Sequence, residues 1–291
     1  MSDADFILAQ ARPVRAAPAK PREVKRKSSL LSIRGIRKLL ATCLATRNPR
    51  TAYLLNCRKR RLCAVKITGC VGDLRIRTGT SDAALLREAV LSGFDFREYH
   101  VPLAIQPRTI LDIGANTGIV SLTLRRKYPN ARVIAFEPLP ENFALLEYNL
   151  RNEDNALAVP FGLGRETGAL EYYASDDEDN LGGGSFHPPP SQMNRACGKL
   201  LILSPAEALQ RFDIHDIDLI KIDTEGAEHD ILTGFPEDVL SRVSVIVGEL
   251  HGVKDEETLA FLSRGFDISR GPSKGRMSLF TAINKNCSSE K

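Results

Sequence analysis

The hydrophobic pattern changes period along the chain. Between residues 30 and 46 the apolar positions Leu30, Ile33, Ile36, Leu39, Leu40 and Leu44 fall at helical spacing, with Lys and Arg on the other face. This predicts a helix that packs on the domain or lies on a partner; packing is the simpler arrangement. Residues 62 to 78 alternate instead, with Val65 and Ile67 before Gly72-Asp73 and Leu74 and Ile76 after it, which predicts a hairpin. Thr80-Ser81-Asp82 then offers N-cap candidates for a helix to about residue 92.

From residue 109 short apolar runs alternate with helical patterns. Strands are expected at 109–113, 132–137, 157–162, 217–223 and 243–249, and helices at 118–128, 140–151, 204–211 and 226–234. A closing pair of strands is expected near 265–270 and 277–284. Apolar strands alternating with helices imply an α/β fold with a mostly parallel sheet, helices on both faces and right-handed crossovers. Segment 174–198 breaks the rhythm. There Asp176-Asp177-Glu178-Asp179 precedes Gly182-Gly183-Gly184-Ser185-Phe186-His187 and three prolines. Long irregular insertions in compact domains are usually functional or disordered, and a substrate lid is expected. The chain thus divides into a disordered basic extension (1–28), a basic helical segment (29–61) and a globular domain (62–291).

Composition narrows the class without naming a function. A charged fraction of 26% and a hydrophobic fraction of 43% are ordinary for a globular domain. No apolar run approaches the roughly 18 to 20 residues that span a bilayer, so no transmembrane segment is expected. Asp3 and Asp5 without a long apolar core argue against a secretory signal. Cys43, Cys57, Cys63, Cys70, Cys197 and Cys287 form no C-x-x-C pair, and read as reduced thiols of a cytoplasmic protein. The net charge of +4 is unevenly spread. Arg12, Arg15, Lys20, Arg22, Lys25, Arg26 and Lys27 stud the start, and Arg47, Arg50, Arg58, Lys59, Arg60 and Arg61 follow. Such a stretch suits nucleic acid or an anionic membrane face, or is simply a solvated tail; aromatic residues for base stacking are not interleaved.

Candidate chemistry begins where apolar runs end in acids. Asp112 closes one run, Gly114 and Gly118 frame a turn into a helix, and Glu137 closes the next run. An acid at that second position suits ribose hydroxyls. The turn reads D-x-G-x-N-x-G, with Asn116 where a dinucleotide fingerprint carries glycine. Asp112 would repel a pyrophosphate and could face the amino-acid part of a cationic nucleoside such as S-adenosylmethionine, while Gly114 lets the ligand lie on the backbone. An oxidoreductase lacks its G-x-G-x-x-G here.

A second charged cluster follows. Lys221-Ile222-Asp223-Thr224-Glu225-Gly226-Ala227-Glu228 ends another apolar strand, and Glu249-Leu250-His251 ends the next. Ligands in open α/β sheets bind at such carboxyl ends. Lys221 needs an acidic partner inside a buried strand, for which Glu249 is a candidate. Asp223, or a neutral His251, could act as base, with Lys221, Glu225 and Glu249 shaping the charge around it. Glu228 either joins this site or stabilises the start of a helix. A minority reading has Asp223, Glu225, Glu249 and His251 hold a divalent metal.

The chain resembles the FkbM family of class I S-adenosylmethionine-dependent methyltransferases. The resemblance rests on Arg77 to Asp82, Asp112 to Gly118, Ala135 to Pro138 with Asn142, Phe143 and Asn149, Gly182 to Ser185, Lys221 to Glu228, and Glu249 to His251. It implies a Rossmann-like seven-stranded sheet with an antiparallel last strand. It also implies cofactor contacts from Asp82, Asp112, Gly114, Ala115, Asn116, Gly118 and Glu137. The implied reaction is methylation of a hydroxyl on a sugar, glycan or natural product. Two alternatives remain: an RNA or protein methyltransferase docking through the basic N-terminus, and a catalytically silent cofactor-binding module. The segment Leu203 to Glu207 departs from the T-L-D type of many members, and the acidic lid and basic extension are not family features.

Overall fold

The computed structural model describes residues 33–57, 59–67, 73–95, 99, 101–172, 198–252, 254–274 and 277–288. The expected extension at 1–28, and the expected lid at 174–198 apart from Gly198, lie outside these residues. The described elements run α1 (Ile33–Thr46), α2 (Pro49–Asn56), β1 (Arg61–Lys66), β2 (Asp73–Thr78), α3 (Ser81–Leu91), β3 (Thr109–Ile113), α4 (Ile119–Lys127), β4 (Arg132–Phe136) and α5 (Pro140–Leu150). They continue with β5 (Ala156–Val159), β6 (Gly162–Leu163), β7 (Gly168–Tyr172), β8 (Gly198–Leu203), α6 (Pro205–Arg211), β9 (Leu219–Ile222) and α7 (Glu228–Thr233). The last are α8 (Glu237–Leu240), β10 (Val245–Leu250), α9 (Asp255–Leu262), β11 (Phe266–Lys274), β12 (Met277–Asn284) and α10 (Lys285–Ser288).

Seven strands form one sheet in the order β11-β12-β10-β9-β3-β4-β5. Neighbours from β10 to β5 are parallel, whereas β12 runs antiparallel to both β10 and β11. This is the seven-stranded order with an antiparallel last strand that the resemblance implied. The central strands are apolar because both faces are covered. Ile110, Val133, Leu219 and Val245 enter one core, and Leu111, Ile134, Ile220 and Ile246 the other.

The expected hairpin is present as β1 and β2, and α3 is capped by Thr80, whose hydroxyl accepts from the Asp82 amide at 3.3 Å. The expected strand at 157–162 is divided. Its first part lies in the main sheet, and Gly162–Leu163 joins β7 and β8 in a separate three-stranded sheet. The pattern reading passed over α2, β7, β8, α8, α9 and α10. For α9 the signal was present: three acids in the first turn, then apolar Leu259 and Leu262.

Candidate active site

Four chain segments meet at the carboxyl edge of the sheet, where β3, β4, β9 and β10 end. The turn after β3 is held by two amides, Gly114 and Ala115, donating to the Phe136 carbonyl at 3.0 and 2.9 Å. Gly114 has φ +80°, and a Cβ there would collide with the Asp223 carbonyl. Glycine is therefore needed both for the left-handed backbone and for the close approach of β9. Asn116 also has positive φ, 50°, which Asn tolerates better than most residues. Gly118 (φ +81°) opens α4, and a Cβ there would come within 2.8 Å of the Leu146 side chain.

Glu137 sits at the end of β4 and is buried. Its carboxylate accepts from the Asn116 amide at 2.8 Å, the Leu139 amide at 3.0 Å and the Asn142 side-chain amide at 3.4 Å. Burial raises its pKa to about 7, although those donors pull it down. Asp82, at the start of α3, lines the same cavity and is linked to Glu137 through Arg77 and Asn142. Arg77 donates to Asp82 at 2.7 Å, to Asn142 at 2.9 Å and to Asn116 at 3.3 Å. One guanidinium thus ties β2, α3, the Gly-rich turn and α5 together.

Asp112 does not face a ligand. It is fully buried behind the turn, where Ser121 donates to it at 2.5 Å and the Lys221 ammonium lies at 3.1 Å. Lys221 also donates to the Gly114 carbonyl at 2.8 Å. The expected partner Glu249 is displaced for a topological reason: β9 lies next to β3, and Lys221 stands directly opposite Asp112 in the register. On the other side Lys221 faces Val247, so Glu249 projects one step nearer the strand end. Burial alone would lower the Lys221 pKa, but Asp112 and Asp223 raise it on balance. Glu249 instead accepts from the Tyr99 hydroxyl at 3.1 Å. Nothing in the sequence around Tyr99 signalled that contact, and Ser121, one turn into α4, was likewise passed over.

Asp223, Glu225, Glu228 and Glu249 surround His251. Glu228 and His251 Nδ1 are 3.0 Å apart, and Nε2 lies 3.6, 3.7 and 3.8 Å from Asp223, Glu225 and Glu249. Burial opposes the charged imidazole, but the Glu228 hydrogen bond and the other carboxylates raise its pKa to about 9. His251 is thus an imidazolium at neutral pH, not the neutral base the sequence suggested. Glu228 also accepts from the Thr224 amide and hydroxyl, both at 3.0 Å, and from the Gly226 amide at 3.1 Å. Its role joins both earlier readings: it ties the turn before α7 and it orients His251. Burial raises the Glu225 pKa, against the pull of His251. Asp223, Glu249 and His251 could together offer ligand atoms to one metal ion, all within 4.8 Å of one another.

A cavity of about 420 Å³ opens over this edge, within the usual range for small-molecule sites. Asp82, Gly114, Ala115, Asn116 and Glu137 line one part, and Lys221, Asp223, Glu225 and Glu249 another. Asp112, Gly118 and His251 stand behind the wall. Six carboxylates, those named and Glu88, face the cavity against one ammonium already committed to Asp112. That balance suits a cationic ligand and opposes a pyrophosphate. Together with the glycine cradle and the buried Glu137, it fits S-adenosylmethionine, which the residues around Gly114 and Glu137 would hold and which supplies an activated methyl when bound.

Comparison with known proteins agrees. The model of the methyltransferase FkbM domain matches residues 112–270. Methyltransferase sdnD of Sordaria araneosa is 30% identical over 215 residues, covering 60% of this chain and 79% of that protein. The 31-O-demethyl-FK506 methyltransferase FkbM of Streptomyces tacrolimicus is 25% identical, covering 55% of this chain and 72% of that protein. The hexuronic acid methyltransferase AglP of Haloferax volcanii is 27% identical, covering 52% and 60% respectively. Strand order, cavity chemistry and matched residues agree that this chain belongs to the FkbM family of S-adenosylmethionine-dependent methyltransferases.

Proposed function

We propose that the chain methylates a hydroxyl of a sugar, glycan or natural product. The observation that carries this reading is the place of Asp223. Its backbone packs on Gly114, and its carboxylate lines the cavity beside the Gly-rich turn. A hydroxyl is a weak nucleophile, so a nearby proton acceptor is useful. Asp223 is that acceptor, and His251 Nε2 lies 3.6 Å from its carboxylate. Lys221, Glu249 and Tyr99 fix one wall, with the Tyr99 hydroxyl donating to Glu249. The remaining contribution is alignment and exclusion of water. The relatives named for hexuronic acid and FK506 support an oxygen acceptor.

The test is release of S-adenosylhomocysteine with hexuronic acids, other sugars and macrolide alcohols as acceptors. Turnover should appear with a hydroxyl acceptor. Asp223→Asn should reduce it by roughly 10²-fold or more, the scale of general-base effects, with cofactor binding retained. Full activity in Asp223→Asn would sink the assignment of the base. Methyl transfer to RNA or protein nitrogen alone would sink the acceptor class. A loss of turnover on adding a chelator, restored by magnesium or manganese, would favour the metal reading of Asp223, Glu249 and His251.

A further inference from the structure

Helix α1 faces the wrong way for a helix whose only purpose is to pack on its own domain. Its protein-facing side carries threonines: Thr42 is 0% exposed and Thr46 2%. Their hydroxyls donate to the carbonyls of Lys38 and Thr42, each at 2.7 Å. The apolar side looks outward, with Ile36 46%, Leu40 58% and Leu44 80% exposed. Spaced four residues apart, these three form one ridge along the helix. Arg37 on the same helix, Arg47 just past its end and Arg50 at the start of α2 are exposed as well. Between Glu23 and Asp73 the sequence holds thirteen Lys or Arg and no Asp or Glu, although the whole chain carries only +4.

We propose that α1 docks this protein on an anionic membrane surface. The ridge enters the headgroup layer and the flanking cations meet lipid phosphates, as in interfacial amphipathic helices. No helix among the described residues is long and apolar enough to cross a membrane, so α1 lies on the surface. Charge complementarity selects this occupant over two others. A nucleic acid would match the cations but leave Leu40 and Leu44 in water, and the ridge offers no aromatic ring for stacking. A second copy meeting ridge to ridge would bring the same arginines against one another. With one short helix and one basic patch, docking is reversible and salt-sensitive. The proposal does not depend on the acceptor proposed above.

The experiment is co-sedimentation of the full chain with vesicles of phosphatidylcholine alone or mixed with phosphatidylglycerol. Binding should require the anionic lipid and fall at high salt. The double variant Leu40→Ser/Leu44→Ser should melt like the wild type, because both side chains are exposed, yet partition about tenfold or more weakly. Arg37→Glu/Arg47→Glu should also weaken binding about tenfold or more. Equal binding to neutral vesicles, or unchanged binding by the serine variant, overturns the proposal. So does a chain that ignores vesicles and binds single-stranded RNA, or one that dimerises through the ridge.

Discussion

Lys221 and Asp112 hold the cofactor turn from behind. Burying either charge alone costs several kcal/mol, and the pair offsets that cost only while both members remain. Asp112 also keeps the Ser121 donor, and Lys221 keeps the Gly114 carbonyl. Lys221→Met should therefore leave a buried carboxylate with one hydroxyl, at a cost of about 3–5 kcal/mol. Asp112→Ala should cost a similar amount. Combining them should cost clearly less than the sum, since neither charge is then stranded. Urea unfolding of the three variants measures this; additive costs would mean that the two groups do not stabilise each other. Glu137 makes the functional prediction at this scale. With its pKa near 7, it is partly protonated at neutral pH. If Glu137 takes ribose hydroxyls, it does so in its ionised form, and binding should release a proton. Affinity for S-adenosylmethionine should fall by up to about tenfold per pH unit below pH 7. Calorimetry in buffers of different ionisation enthalpy tests this. A flat profile with no proton release would remove Glu137 from ribose binding.

Strand ends set the chemistry at the next scale. The loop from Asp223 to Glu228 and the end of β10 share one proton-rich contact through His251. The folded protein holds that proton to about pH 9, against an ordinary histidine value of 6.5. The contribution to stability is thus fully present below about pH 6.5 and lost as pH rises through 9. At about 1.4 kcal/mol per unit the effect is on the order of 3 kcal/mol. Wild-type stability should fall between pH 6.5 and 9, while His251→Gln should show a much flatter profile. Parallel pH profiles of denaturant midpoints would dismiss the imidazolium. The strands that carry these residues were legible as apolar runs, and so were the acids at their ends. What was not legible was lateral order. Lys221 visibly needed an acid, but the choice between Glu249 and Asp112 depends on β9 lying between β3 and β10. That is a long-range fact without a local signal. The protonation of His251 was hidden for the same reason: the acids that raise it come from the loop after a different strand, β9. The turn at Gly114 was legible because its left-handed backbone is a local constraint; the close approach of the Asp223 carbonyl was not.

At the scale of the molecule, the basic N-terminal region is two things joined. Helix α1 is an appendage with its apolar side outward, whereas α2 is part of the body. Ala52 and Leu55 of α2 are 0% and 1% exposed, and Leu55 lies in the core cluster on one side of the sheet. Thr51 donates its hydroxyl to the Lys66 carbonyl at 3.1 Å, and Arg87 donates to the Leu55 carbonyl at 2.7 Å. A deletion through residue 61, the obvious way to remove every N-terminal cation, therefore also opens the core. Losing a buried leucine alone costs about 2–5 kcal/mol, a large share of the roughly 5–15 kcal/mol that holds a domain together. Loss of activity or nucleic-acid binding in that variant would say little about docking. Deletion of residues 1–32 should leave both the melting temperature and cofactor affinity unchanged. Deletion of 1–46 should melt slightly earlier, bind S-adenosylmethionine normally and fail to dock on anionic vesicles. Deletion of 1–61 should lose several kcal/mol and cofactor binding with it. If the longest deletion instead melts with the full chain and binds cofactor equally well, α2 is not part of the core. The two roles separated here, docking by α1 and packing by α2, would then collapse into one.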